Sequence, residues 1–199
     1  MRIIGGSLRG RRLVDWEDGG IRPVRDMVRS ALFSIVADFV ADANCLDLFA
    51  GTGALGLEAL SRGARSCLFV DRSPDACAIV RRNADALGLL DRAEVYHGDA
   101  LDALGHFARR GRRFDLVFVD PPYFEGHAQR AVAALGDAGA LAEDPLVAVA
   151  SHKAEDPIEV ARPLVLVDSR RYGDNALHFY RRGEPGAVGS GDGNEGGGT

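Results

Sequence analysis

Lysine is nearly absent from this 199-residue chain: Lys153 stands alone among 24 basic residues, so the basic inventory is arginine. Planar guanidinium forks suit phosphate, although biased base composition accounts for them equally well. Long apolar runs are missing too. No stretch approaches about 18 consecutive apolar residues, which excludes an ordinary membrane-spanning helix. The first residues, MRIIGGSLRG, lack the apolar core of a secretory signal, so a cytoplasmic protein is expected. Cysteine is scarce. Cys45, Cys67 and Cys77 have no metal-ligand spacing and lie in or beside apolar segments, which excludes a disulfide scaffold and reads as buried free thiols. His97, His106, His127, His152 and His178 form no ligand grouping either, and no metal is expected.

What is present fits one soluble domain. Hydrophobic residues make up 46% and charged residues 27%, enough apolar material for a large core at this length. The net charge of −5 argues weakly against a nucleic-acid partner, but the distribution is uneven. Residues 1–29 hold seven arginines (Arg2, Arg9, Arg11, Arg12, Arg22, Arg25 and Arg29) against four acids. Residues 183–199, GEPGAVGSGDGNEGGGT, carry three acids and no base, and too few apolar side chains to repay ordering. They read as a disordered, glycine-rich acidic tail.

Residues 2–14 look like a short hairpin, and a helix is expected after Pro23, which tolerates a first helical turn. Met27, Val28, Ala31, Leu32 and Ile35 would form its core face. From residue 44 short apolar runs alternate with amphipathic segments. The runs 45–50, 66–71, 93–98, 114–120, 145–151, 163–169 and 176–182 read as strands; 53–63, 75–88 and 125–139 read as helices. Strands rich in Val, Leu and Phe separated by helices require a parallel sheet covered on both faces. The fold class is α/β, a doubly wound, mostly parallel, Rossmann-like sheet of seven strands.

Ligands of such sheets bind beyond the carboxyl ends of the strands. There the first strand runs into Asp47-Leu48-Phe49-Ala50-Gly51-Thr52-Gly53, where Gly51 and Gly53 permit a tight turn and close approach. Asp47 is poorly matched to a pyrophosphate and better matched to the ammonium of an amino-acid moiety. The loop also lacks the Gly-Lys-Ser/Thr ending of a P-loop. Asp71, ending the second strand, can accept from both hydroxyls of a ribose, in a nicotinamide or an adenosyl site alike. Asp99 can accept from an adenine amine, with the Ala100 amide beside it, or cap the helix that follows.

Asp120-Pro121-Pro122-Tyr123 is the most specific feature. The prolines end the fourth strand and stiffen the loop. Asp120 and the Pro121 carbonyl can each accept a hydrogen of an NH₂ group, while Tyr123 stacks on the ring that bears it. The simpler alternative is a rigid turn with a surface tyrosine.

Taken together, RIIGGSLRGRRL (2–13), RPVRDMVRSALFSI (22–35), LDLFAGTGALGLEALSRGA (46–64), FDLVFVDPPY (114–123) and RRYGDNALHFY (170–180) resemble the bacterial small-subunit (16S) rRNA guanine-N2-methyltransferase family. The resemblance implies a single methyltransferase domain over 1–182 with an RNA-binding extension over about 1–40, and S-adenosylmethionine as methyl donor without a metal. It implies donor contacts at Asp47, Phe49, Gly51, Gly53, Asp71, Asp99 and Ala100, and target-base contacts at Asp120, Pro121, Pro122 and Tyr123. The partner would be 16S rRNA in an assembled or partly assembled subunit, with no membrane; a monomer is admissible. The arginines at 2, 9, 11, 12, 22, 25 and 29 are the candidates for phosphate contact. Val24, Ser30, Ser34 and Ser151 depart from the family pattern and leave details of the pocket open. A DNA adenine or cytosine amino-methyltransferase, or a non-catalytic RNA-binding assembly factor on the same fold, are the competing readings.

Overall fold

The computed structural model describes residues 1–15 and 26–183. The expected tail beyond Gly183, Pro23 and Val24, and the arginines at 22 and 25 lie outside the described residues.

Eight strands form one sheet in the order β3-β2-β1-β4-β5-β8-β7-β6. They are β1 (Asn44–Leu48), β2 (Ser66–Asp71), β3 (Ala93–His97), β4 (Phe114–Val119), β5 (Leu141–His152), β6 (Val160–Ala161), β7 (Leu164–Tyr172) and β8 (Asn175–Arg182). The first five pair in parallel, and β8 inserts antiparallel between β5 and β7. The seven expected strands are all present, and the two-residue β6 adds an outer edge.

Among the described residues five α-helices cover the two faces: α1 (Asp26–Ile35), α2 (Ala54–Ser61), α3 (Pro74–Leu87), α4 (Ala100–Arg109) and α5 (His127–Ala138). The period of two along each strand divides the core between them. Cys45, Cys67, Phe69, Leu116 and Phe118 point to α1, α2 and α3, whereas Leu46, Leu48, Val70, Val117 and Val119 point to α4 and α5. The three cysteines are buried and free, as their setting implied. α3 is delimited by its own residues: Ser73 accepts from the Ala76 amide at 3.3 Å, Pro74 fills the first position, and Gly88 closes the helix in the left-handed region.

α1 buries most of the face its spacing predicts, Val28 and Leu32 fully and Ala31 and Ile35 in part, with Met27 the exception. Met27 is 64% exposed, while Val28, Arg29, Leu32 and Phe33 are buried. Phe33 reaches the Phe118 ring of β4, 5.5 Å between centroids. Burying Val28, Leu32 and Phe33 is worth about 1.5–3 kcal/mol for each side chain. Ile3, Leu13 and α1 join the same core as α2 and α3, so residues 1–15 and 26–40 are continuous with it in packing.

Residues 2–14 form the short hairpin expected of them: Arg2 bridges Arg12 antiparallel, with Ile3 N–H on the Arg11 carbonyl at 2.9 Å, Leu13 N–H on the Met1 carbonyl at 3.1 Å and Gly10 N–H on the Ile3 carbonyl at 2.9 Å. Side chains of the main domain anchor it. Glu58 of α2, fully buried, accepts from the Ile4 amide at 2.8 Å and from Arg62 Nε at 2.7 Å. The Ser61 hydroxyl donates to the Gly5 carbonyl and accepts from the Leu8 amide. A Cβ on Gly6 would overlap the Ser61 carbonyl, and the residue has φ +75°, so this close approach needs glycine. At the other end Asn83 of α3 accepts from the Val14 amide at 2.6 Å and donates to the carbonyls of Val14 and Thr52. One buried amide thus ties the N-terminal segment to the loop after β1.

Candidate active site

β1 and β4 lie side by side with Leu48 opposite Val119, and the helices that follow them cover opposite faces. That is the switch point at which an open α/β sheet forms its binding crevice. The chain leaves β1 through Phe49 at φ +64°, and Gly51 follows at φ +54°. The loop is pinned by Ala50 N–H on the Val70 carbonyl at 3.0 Å and by Gly51 N–H on Asp71 Oδ2 at 2.8 Å. Its two glycines serve different ends. A Cβ on Gly51 would meet nothing within 4 Å, whereas one on Gly53 would press Val80 and Leu57 at 3.2–3.3 Å. Gly51 leaves open space beside the backbone, and Gly53 lets α3 pack close.

Asp47 is 1% exposed and its Oδ2 accepts from the Gly56 amide at 2.9 Å. Gly56 lies in the first turn of α2, whose own N-cap, Gly53, offers no side chain, so a carboxylate from β1 does the capping. Burial pushes Asp47 well above the usual carboxylate range; the Gly56 amide opposes the shift, and the charges of Asp120 and Asp71 add to it. Asp71, half-buried at the end of β2, also accepts from Ser73 N–H at 2.8 Å on Oδ1. Asp99 caps α4, with Oδ1 taking the Leu101 and Asp102 amides, as one of its two readings expected. Ala100 is buried behind it.

Asp120 directly follows β4, its amide 3.5 Å from the Leu48 carbonyl. Burial raises its carboxyl to about 7. Asp47, Asp71, Asp99 and Asp120 therefore stand at or just beyond the same edge of β1–β4, which gives that edge an acidic lining matched to a cationic ligand and opposed to a pyrophosphate. Pro121 is buried and Pro122 exposed. Tyr123 is half-buried and donates its hydroxyl to Asn175 Oδ1 at 3.0 Å. Burial, then the charges of Asp120 and Glu155, push its phenol upward.

Sequence reasoning missed several neighbours. Asn175 belongs to Tyr172-Gly173-Asp174-Asn175, legible only as a turn before the last strand; antiparallel pairing puts it opposite His152 at the end of β5. His152 and Phe124 sit 4.6 Å apart between ring centroids. Phe49 packs 6.1 Å from His127 at the start of α5. Asn83 carried no local signal.

The arginine candidates separate. Arg29 is corrected: it is 1% exposed, with Nη2 donating to the Arg2 carbonyl at 2.5 Å and to Asp26 at 2.9 Å, so it cannot meet a phosphate on the surface. Its burial pulls the guanidinium pKa down. Arg2, Arg9 and Arg12 are exposed; Arg11 is also exposed but donates to the Ala86 carbonyl of α3 at 2.8 Å. A cavity of about 740 Å³ opens at the opposite edge of the sheet among Asn44, Arg92, Glu94 and Arg112, away from Asp120. Among the described residues no cluster of His, Cys, Asp or Glu could hold a metal ion, and no helix is long and apolar enough to cross a membrane.

A doubly wound sheet with this acidic edge, an open glycine loop and an Asp-Pro-Pro-Tyr turn defines the Rossmann-like class of S-adenosylmethionine-dependent methyltransferases. The profile of the family described as Conserved hypothetical protein 95 matches residues 1–181, and the chain belongs to that family. The putative rRNA methyltransferase YlbH of Bacillus subtilis is 37% identical over 183 residues, spanning 92% of this chain and 99% of that one. The ribosomal RNA small subunit methyltransferase D of Escherichia coli is 36% identical over 182 residues, spanning 92% and 90%. The solved structure of the putative methyltransferase yhhF from Escherichia coli superposes with a TM-score of 0.80 at 36% identity, covering 92% of this chain and 97% of that one. The resemblance drawn from the motifs to the small-subunit rRNA methyltransferases holds.

Proposed function

We propose that the protein methylates the exocyclic N2 amine of a guanine in small-subunit (16S) rRNA, within an assembled or partly assembled subunit. The observation that carries this reading is Asp120 and Pro121 on a proline-stiffened turn, directly beside the open glycine loop, with Tyr123 tethered next to them. The names of the relatives support rRNA as the substrate class.

S-adenosylmethionine, when bound, supplies a methyl group activated on a positive sulfonium. The residues present fit it: Gly51 leaves room beside its backbone, Asp71 keeps lone pairs on both oxygens for ribose hydroxyls, and Asp99 has Oδ2 left for an adenine amine, next to the Ala100 amide. Phe49 and Gly53 shape the walls. Asp47, engaged by Gly56, acts from beneath and holds α2 under the loop. Asp71→Ala should weaken binding of S-adenosylhomocysteine at least about tenfold, because the Gly51 tether and the ribose acceptor go together. Calorimetry giving unchanged affinity would count against this assignment.

Asp120 and the Pro121 carbonyl hold the two amine hydrogens, which turns the nitrogen lone pair out of conjugation with the ring. Tyr123 covers the base, and a paired guanine must first leave its stack. With the donor bound, the N–C bond would form as the sulfonium S–C bond breaks and the sulfur leaves as the neutral thioether of S-adenosylhomocysteine; the methylated nitrogen would then be acidic and release a proton that Asp120, titrating near neutrality, can accept and pass to water. Orientation and pre-aligned acceptors supply most of the rate. Arg2, Arg9, Arg11 and Arg12 are the proposed phosphate contacts.

Transfer of labelled methyl to naked 16S rRNA, small-subunit particles and DNA tests the reading. Label recovered as N2-methylguanosine from rRNA is expected, with particles preferred. Label in adenine, cytosine or DNA would overturn it.

A further inference from the structure

Next to the turn that receives the target lies an aromatic surface with no part in the steps above. Phe124 is 67% exposed and has φ +69°. A bulky side chain rarely adopts that backbone region, which costs on the order of 1 kcal/mol or more and persists where surroundings enforce it. The surroundings here do so. On one side Tyr123 is tethered to Asn175; on the other His127 Nε2 meets Glu125 Oε2 at 2.8 Å and its Nδ1 meets Arg130 Nη2 at 2.9 Å. The ring of His152 backs Phe124 at 4.6 Å and lies 6.2 Å from Tyr123. Ala154 N–H donates to His152 Nδ1 at 3.2 Å, which fixes the imidazole plane. The result is a held, outward-facing aromatic platform one residue beyond Tyr123.

We propose that Phe124, backed by His152, is a second stacking site that takes the unpaired base flanking the target guanine. Charge selects a base face over a phosphate. The charged neighbours are Glu125, Glu155, Asp174, Lys153 and Arg130; Lys153 is paired with Asp174 at 2.8 Å, and Arg130 is engaged by His127 Nδ1 and the Glu125 carbonyl. Three acids with both cations engaged disfavour phosphate but leave the flat face of a neutral base unaffected, and aromatic stacking needs no particular base. Continuity with Tyr123 supplies the occupant: a strand that gives up one base to the Asp120 turn presents the next one at the edge of the same loop. This inference rests on the proposal that the edge receives an RNA base.

The test compares Phe124→Ala, Phe124→Leu and Phe124→Trp on whichever RNA substrate the parent enzyme methylates. Phe124→Ala is expected to raise KM for RNA about tenfold, within the range of base–aromatic stacking, with kcat at saturating RNA within about twofold and donor affinity unchanged. Phe124→Leu should resemble Phe124→Ala, since bulk without a ring does not stack, and Phe124→Trp should restore KM. An RNA with 2-aminopurine flanking the target should be quenched on binding the parent and Phe124→Trp, but not Phe124→Ala. Unchanged KM and quenching in Phe124→Ala, a Phe124→Leu enzyme with parental KM, or a loss confined to kcat would each overturn the platform. Failure of the parent to methylate any RNA would instead overturn the function on which it rests.

Discussion

Asp120→Asn is expected to lose methyl transfer by about 10²–10⁴-fold, the range for a positioned proton acceptor, and yet to fold more stably than the parent at pH 8. The two effects share one cause. Burial raises the carboxyl from 3.8 to about 7. The folded chain therefore binds this proton more tightly than the unfolded one, and the sign follows. Stability associated with Asp120 is complete below pH 4, falls as pH rises from about 4 to 7, and stays at its reduced level above that. Asparagine removes the cost, so its advantage should reach about 2–4 kcal/mol at pH 8 and vanish near pH 4. Asp47, which feels the charge of Asp120, should relax in the same direction. At about 2–4 °C for each kcal/mol, scanning calorimetry at the two pH values resolves this easily. Affinity for S-adenosylhomocysteine should stay within a few fold, and parental turnover should climb as pH passes about 7. Near-parental turnover in the variant would remove Asp120 from the chemistry; an equal Tm difference at both pH values would contradict its desolvation.

Glu58→Ala is the substitution expected to damage the fold most. Glu58 is fully buried, and its two oxygens serve the Ile4 amide and Arg62 Nε. Arg62 in turn lies over the Phe33 ring at 4.9 Å, and Arg29 is buried nearby within reach of the Glu58 charge. Alanine strands an amide and leaves two cations short of their anion, a loss of about 3–5 kcal/mol by analogy with other broken buried pairs. Glu58→Gln keeps an acceptor for Ile4 and should lose less. Urea unfolding measures both, and limited proteolysis should show residues 1–15 released first. A Glu58→Ala loss under about 1 kcal/mol would mean that apolar contacts of Ile3 and Leu13 hold the segment without it.

The same residues show which features could be read in advance. The strands of the sheet were legible because β1, β2 and β4 are buried on both faces, so nearly every position along them is apolar. Asp120-Pro121-Pro122-Tyr123 was legible because two consecutive prolines after an apolar run leave no amides to continue the ladder. Arg29 and Met27 misled for one reason. Helical spacing gives the angle between side chains but not the direction in which the helix faces; Phe33 meets Phe118, Arg29 is buried and Met27 is exposed. Residues 2–14 pair as the short hairpin their pattern suggests, but the side chains that anchor it, Glu58, Ser61 and Asn83, are all distant in sequence.

By itself the chain determined a parallel α/β sheet, the glycine turn after β1 and the acceptor turn after β4, because each depends on backbone preferences and burial expressed within a few neighbouring residues. Folding in three dimensions decided the rest: that Asp47 caps a helix from below, that Asn175 and His152 meet at the acceptor turn, and that Arg29 is a core residue. Those outcomes depend on which surfaces meet across the sheet, and a carboxylate or a guanidinium carries no mark of its eventual partner until the strands have paired.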